Sequence, residues 1–207
     1  MKKNVIKSIL GFSAVLLFAG TVLSGCGKKD SKELSKKEIT VGVTAGPHQQ
    51  IMEEVAKQAK KDGLKIKIKS FTDYNTPNSA LSSGDLDANS YQTIPFLKDQ
   101  IKNKGYKFDQ AFKTVAYPMG VYSKKIKSLK DLKDGDSIAV PNDASNETRG
   151  LQLFEKAGII KLKKGVGQTA TKKDVVSNPK HLKIIELEAS QLPKQLGEVT
   201  AAAINTN

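Results

Sequence analysis

The sequence predicts an α/β protein built as two small lobes, and three observations carry that expectation. Strand-like and helix-like segments alternate in both halves, first over Ile39–Leu64 and Lys65–Phe71, then over Ser137–Ala157 and Leu182–Leu187. Between the halves lies Ala111–Ser123, an extended stretch in which Pro118-Met-Gly120 interrupts a strand that would otherwise run on. The composition, 38% hydrophobic and 27% charged over 207 residues, is that of a globular chain long enough for one domain or two lobes.

The amino terminus stands apart from the fold. Lys2, Lys3 and Lys7 precede an apolar run from Ile9 to Leu23, followed by Leu23-Ser-Gly-Cys26. A basic start, an apolar run too short for a comfortable span and small residues before a cysteine read as a lipoprotein signal peptide over residues 1–25. Cys26 is the single cysteine, so no intramolecular disulfide is possible. The signal makes Cys26 the acylated first residue of the mature chain; the alternative is an ordinary secretory signal beside an incidental cysteine. Residues 26–37 are charged and poor in apolar side chains, which makes them a flexible leash. On this reading the protein is tethered by lipid to the extracytoplasmic face of the cell membrane.

A net charge of +13 and a pI near 9.6 raise the question of nucleic acid. The lysines answer against it, being scattered singly and in pairs without interleaved aromatics, and an exported lysine-coated surface faces anionic lipid or wall polymer instead.

The first lobe, residues 38–118, opens with the strand Ile39–Val43. Gly46-Pro47 begins a helix with Ile51, Val55 and Ala59 on one face, and Gly63 stops it. Lys65–Lys69 alternates at period two with Ile66 and Ile68 together, so the three segments form a right-handed βαβ unit. A polar loop, Thr72–Pro77, leads to a short helix over Asn78–Ser83 that breaks at Gly84. Asp85–Asn89 then runs into Ser90–Thr93, and a further helix spans Pro95 to about Asn103.

The second lobe, residues 119–204, begins with a short helix over Ser128–Leu132 and a tight turn at Asp134-Gly135. Ser137–Val140 has the character of a buried parallel strand, and Pro141 is expected to end its pairing. Ser145 or Asn146 is placed to cap the next helix, which carries Leu151, Phe154 and Ala157 on one face. Thr171–Ser177 reads as helical up to Pro179, Leu182–Leu187 as a strand, Gln191–Leu196 as helical and Val199–Ile204 as a last apolar strand. Residues 205–207 begin a return crossover.

The corner from Ser137 to Arg149 is the strongest candidate site. A strand running through a polar turn into a helix leaves backbone N–H groups facing a strand end, which attracts a carboxylate or phosphate, and Arg149 in the first turn adds a bidentate clamp. The plainer alternative makes Asn142, Asp143 and Asn146 turn and cap residues and Arg149 a solvated charge. His48 is either a ligand contact or a helix-terminal hydrogen-bonder. Asp85 and Asp87 point to opposite sides of an extended segment and so make a poor acid–base pair. Tyr74, Tyr91 and Phe96 either wall an apolar pocket or pack in the core. No metal-ligand spacing, nucleophile–base constellation or cofactor fingerprint is present in the sequence, so a non-enzymatic protein without a metal or cofactor is expected.

These residues resemble a known family, the methionine-binding lipoproteins of the NlpA/MetQ type, which are the solute-binding components of ABC importers. The resemblance is carried by Val41-Gly-Val-Thr-Ala-Gly-Pro-His48, Gly84-Asp-Leu-Asp-Ala-Asn89 and Pro118-Met-Gly-Val-Tyr-Ser-Lys-Lys-Ile126. It continues in Ile138-Ala-Val-Pro-Asn-Asp143 with Asn146-Glu147 and Arg149, in Glu186-Leu-Glu-Ala189 with Gln191-Leu-Pro193, and in Ala203-Ile-Asn-Thr-Asn207. It implies a type II periplasmic-binding-protein fold whose two lobes close on a ligand. It also implies that Arg149 clamps the ligand's carboxylate, that Asn89, Asn142, Asn146 and Asn205 are polar contacts, and that Tyr74, Tyr91 and Phe96 wall its side chain. The partners implied are an amino-acid ligand and an ABC permease with its ATPase subunit.

Two departures from the family pattern accompany the resemblance. Family members often carry His where this chain has Thr93, which reshapes the side-chain end of the pocket. The family also continues beyond the Asn-Thr-Asn string, so the first lobe is expected to lack closing elements and to expose apolar surface. A truncated paralogue without a transport role, or a surface interaction module, is the second reading.

Overall fold

The computed structural model of the protein describes residues 34–205. The signal peptide, Cys26 and the first part of the leash lie outside the described residues, as do residues 206 and 207.

Strand β1 (Glu38–Thr44) pairs in parallel with β2 (Lys65–Phe71), from Glu38 opposite Lys65 to Thr44 opposite Phe71. Helix α1 (Pro47–Lys61) makes the crossover between them, and β3 (Ala88–Asn89) pairs in parallel on the other side of β1, giving the order β2-β1-β3. Alternation along the strands sends Val41 and Val43 to one face, where Met52 of α1 packs with Ile39, Ile66 and Ile68. The helical face differs from the expected one. His48 and Met52 are buried, whereas Ile51 and Val55 are 39% and 43% exposed. Adjacent residues in a helix sit about 100° apart, so the stripes through Ile51 and Met52 are neighbours, and periodicity alone does not choose between them. The opposite face of β1 is held close by Gly42, where a Cβ would stand 2.5 Å from Leu86 Cδ1. Helix α2 (Thr76–Ser83) begins two residues earlier than expected, with Pro77 in its first turn, and α3 spans Ile94–Lys104.

A second sheet, of order β4-β9-β5-β8, is made of β4 (Met119–Tyr122), β5 (Ser137–Pro141), β8 (Lys183–Leu187) and β9 (Ala201–Asn205). Helix α4 (Ala144–Lys156) covers one face with Leu151 and Phe154 against Ile138, Val140, Ala201 and Ala203. The other face packs Ala139, Ala202 and Ile204 against Leu192 and Val199. Small residues allow the close fit: a Cβ at Gly150 would lie 3.1 Å from Val140 and 3.2 Å from Ala203.

Several local expectations give way here. Pairing does not end at Pro141, which stays in register with Leu187, and the Asn142 N–H donates to the Leu187 carbonyl at 2.8 Å. Alternate N–H groups of a parallel strand point to opposite neighbours, so proline's missing donor falls on the β9 side, beyond the last paired residue, Ala139. Ala157 is the exposed C-cap of α4 rather than part of its buried face. Met119–Tyr122, expected as part of an interrupted crossover, is a strand antiparallel to β9. Over Thr171–Ser177 only Lys172–Asp174 is helical, a single 3₁₀ turn, and β7 (Val175–Ser177) pairs with β6 (Lys161–Leu162). The β-branched pair Val175-Val176 favours the strand. Leu129–Asp131 is also a 3₁₀ turn, and Gln191–Leu196 is replaced by two, Ala189–Gln191 and Lys194–Gly197, broken around Pro193. Both sheets belong to one compact unit.

Candidate functional site

The carboxyl ends of parallel strands are where α/β folds place ligands, because the loops that follow them are free to vary. Here they line a cleft of about 210 Å³. Thr44 and Ala45 after β1, with Phe71, Thr72 and Tyr74 after β2, form one wall; Ala189, Ser190, Pro193, Lys194 and Asn205 form the other. The volume lies below the roughly 300–1,000 Å³ of drug-sized pockets, which suits a ligand of amino-acid size.

The polar corner at the start of α4 is more tightly connected than its sequence shows. Asp143 is the N-cap, and its Oδ1 accepts the Asn146 N–H at 3.0 Å. This overturns the expectation that Ser145 or Asn146 caps the helix, and the Asp143 carboxylate supplies negative charge of the kind a helix start favours. The Asn146 side-chain amide donates to both Asp143 carboxylate oxygens, at 2.9 and 3.1 Å. Its Oδ1 accepts from Arg149 Nη1 and from Asn205 Nδ2, each at 2.8 Å. Asn146, 3% exposed, thus holds Arg149 and the end of β9 in one array. Arg149 Nη2 reaches the Tyr117 carbonyl at 3.5 Å. Burial pulls the pKa of Arg149 below its ordinary value, opposed by the charges of Asp143 and Tyr74, and a guanidinium stays protonated through such a shift.

Two buried side-chain polar atoms among the described residues have no hydrogen-bond partner, Thr44 Oγ1 and Asn205 Oδ1, and both residues line the cleft, one from each wall. An unpaired buried oxygen costs about 1–3 kcal/mol, so such atoms mark a place where a ligand's donors are expected.

The aromatic residues divide by role. Tyr74, Tyr91 and Phe96 form a triangle with centroids 6.3–6.4 Å apart, and only Tyr74 lines the cleft. Tyr91 donates its hydroxyl to the Tyr74 carbonyl at 2.8 Å, and burial, with Asp73 nearby, raises its pKa. Phe96 is 4% exposed; Tyr91 and Phe96 therefore stand behind Tyr74 and fix it.

The other expected site residues have occupations of their own. Asn89 joins Asn78 and Gln92 in an amide network, donating to Asn78 Oδ1 at 2.9 Å and accepting from Gln92 Nε2 at 3.2 Å. Thr93 is the N-cap of α3, its Oγ1 accepting the Phe96 N–H at 3.3 Å. The Asn142 side chain is exposed on the turn after β5. His48 is buried edge-on to Tyr117 with ring centroids 5.3 Å apart, and burial lowers its pKa. Asp87 accepts the Thr40 N–H at 2.8 Å and Asp85 accepts from Ser83, so the two carboxylates are separately engaged. Among the described residues no group of three or more His, Cys, Asp or Glu side chains is placed to hold a metal ion.

Sequence reasoning named Asp143 only in its plainer alternative, as a turn or cap residue, which it is, and missed Thr44, Tyr117, Ser190 and Lys194. The spacing of Asp143 three residues before Asn146 is a capping signal. Nothing local marks the others, which meet the site through tertiary packing.

Comparison with known proteins identifies the family and the fold. The family model for NlpA lipoprotein matches residues 39–207. The chain is 51% identical over 199 residues to the D-methionine-binding lipoprotein MetQ of Salmonella typhimurium, covering 94% of this chain and 72% of that protein. A crystal structure of the methionine-binding protein MetQ superposes with a TM-score of 0.81 at 50% identity, over 83% of this chain and 71% of the other. A nutrient-binding protein from Burkholderia cenocepacia bound to methionine gives a TM-score of 0.79 at 54% identity, over 82% and 72%. The fold is the type II periplasmic-binding-protein fold of these neighbours, and the chain belongs to the NlpA lipoprotein family.

Proposed function

We propose that the protein is a lipid-anchored receptor that captures methionine, or a closely related amino acid or short peptide, and delivers it to an ABC permease and its ATPase subunit. Residues 38–118 and 119–204 act as the two lobes, Cys26 carries the lipid, and the protein works at the extracytoplasmic face of the membrane without covalent chemistry. The observation that carries the reading is the cleft together with the polar array behind it, in which Arg149 is not itself a lining residue and joins the cleft through Asn146 and Asn205. Arg149 is oriented by Asn146 beside Asn205, while Asn205 Oδ1 and Thr44 Oγ1 stand buried and unpartnered on facing walls. A guanidinium suits a carboxylate, a carbonyl oxygen with no donor suits an ammonium, and Tyr74 offers an apolar surface to a thioether side chain. The names of the relatives point to the same ligand.

Thermal unfolding without and with L- and D-methionine, other amino acids and methionine-containing dipeptides tests the proposal. Ligand at one hundred times its dissociation constant stabilises the native state by about 2.7 kcal/mol, a shift of several degrees. A cooperative transition that moves with methionine or its close relatives is the expected result. A transition unmoved by any amino acid or dipeptide at millimolar concentration defeats it.

A further inference from the structure

The βαβ unit of the first lobe has two ends of different chemistry. Its carboxyl end, at Thr44, Ala45, Phe71 and Thr72, lines the cleft. Its amino end lies seven-residue strands away, about 20 Å at roughly 3.3 Å per residue. Because β1 and β2 run in parallel and α1 returns between them, the last turn of α1, both strand starts and the incoming chain meet at this amino end. The Lys65 N–H donates to the Lys37 carbonyl at 2.9 Å, which fixes the incoming chain there.

The amino end gathers Lys36, Lys37, Lys60, Lys61, Lys65 and Lys67, all exposed. The carboxylates beside them are Glu38, Asp62, Asp85 and Asp87; Asp87 accepts the Thr40 N–H, and Glu38 pairs with both Lys65 at 2.9 Å and Lys67 at 2.5 Å. The six cations outnumber the four carboxylates. This is also the end of the fold reached first from Cys26, which precedes Leu34 by eight residues, a separation of at most about 29 Å at roughly 3.6 Å per residue.

We propose that, when the protein is not engaged with the permease, the amino end of the first lobe docks on an anionic lipid bilayer, so that the tethered protein then stands with its cleft turned away from the membrane. The proposal rests on the lipid-anchored reading given above. The tether holds the lysines where the surface potential of anionic lipid acts on them. The cleft, about 20 Å farther out, lies beyond two Debye lengths of roughly 8 Å and binds its ligand free of that field.

Covalent labelling of lysines by an amine-reactive reagent, read by mass spectrometry, tests the docking on the full acylated chain bound to vesicles. On vesicles containing phosphatidylglycerol, labelling of Lys60, Lys61, Lys65 and Lys67 is expected to fall several-fold relative to phosphatidylcholine vesicles, and to recover at high salt. Labelling of Lys161, Lys163 and Lys173 in the second lobe should stay constant. The K60Q/K61Q/K65Q/K67Q variant should lose the lipid-dependent protection of Lys36 and Lys37 while keeping its melting temperature. Equal labelling on the two kinds of vesicle, or protection centred on the second-lobe lysines, overturns the docking. The anchor is read separately, from flotation with neutral vesicles and the mass of acylated Cys26, so that either reading can fail without the other.

Discussion

Replacing Arg149 by alanine separates the two roles the array at the start of α4 combines. In the free protein the guanidinium makes one good hydrogen bond, to Asn146 Oδ1 at 2.8 Å, and one long contact, to the Tyr117 carbonyl at 3.5 Å. Asn146 Oδ1 keeps its second donor, Asn205, at 2.8 Å, and Asp143 still holds the Asn146 amide, so no buried acceptor is orphaned there. The folding cost is therefore small, about 1 kcal/mol. Binding is another matter. A carboxylate held by a guanidinium loses charge-assisted hydrogen bonds of about 1.5–3 kcal/mol each, and a loss of about 3 kcal/mol corresponds to more than a hundredfold in dissociation constant. Calorimetric titration with methionine and with methionine amide, which lacks the carboxylate, gives the decisive comparison. The native protein should prefer methionine strongly, and Arg149→Ala should erase the preference by weakening methionine alone. A variant that binds methionine within threefold of the native protein, or that loses both ligands equally, would refute the assignment of Arg149 as the carboxylate clamp.

Other substitutions probe the rest of the structure. Thr44→Val removes an unpartnered buried hydroxyl at nearly constant volume, so the free protein should be unchanged or up to about 1 kcal/mol more stable by denaturant titration, while ligand affinity falls. Gly42→Ala drives a Cβ to 2.5 Å from Leu86 Cδ1 and should cost about 1–3 kcal/mol of stability, and combined with Leu86→Ala it should cost less than the two single substitutions summed. Glu147, 4% exposed, has its pKa raised above the ordinary 4.5, chiefly by burial and further by Glu186, although the Lys172 N–H opposes this at 2.7 Å. Its folded form holds a proton more tightly than the unfolded chain, so this group's contribution to stability declines as pH rises from about the unfolded value through the raised folded one. Glu147→Gln keeps an oxygen for Lys172 and should flatten that decline when unfolding is followed between acid and neutral pH; an unaltered pH profile would show that Glu147 is not its source.

The strands and the α/β plan were legible because their signals are local and repeated. Ile39–Val43, Lys65–Phe71, Ser137–Val140 and Leu182–Leu187 carry β-branched alternation or short apolar runs, and all four are strands. Helical signals failed where they were short: Thr171–Ser177 and Gln191–Leu196 are too brief for helix propensity to outweigh a strand partner or a proline. Of the expected site residues, the structure brings Asn146, Arg149 and Asn205 into one array and sets Tyr74 in the cleft with Asn205. Asn89 and Thr93 are engaged in a structural network and a cap, since amides and hydroxyls serve backbone and ligand with the same chemistry and a motif does not say which.

By itself the sequence determined the alternation of strand and helix, the family and the identity of the charged residue at the start of α4, because each is written in contiguous residues. Only the tertiary structure decided what meets that residue. Asn205 lies 59 positions from Asn146 and the two share a 2.8 Å hydrogen bond, because β9 enters the middle of its sheet beside β5. Thr44 and Asn205 come to face one cleft from different sheets. Contacts between distant segments depend on which faces bury together, a property of the packed chain and not of any stretch within it.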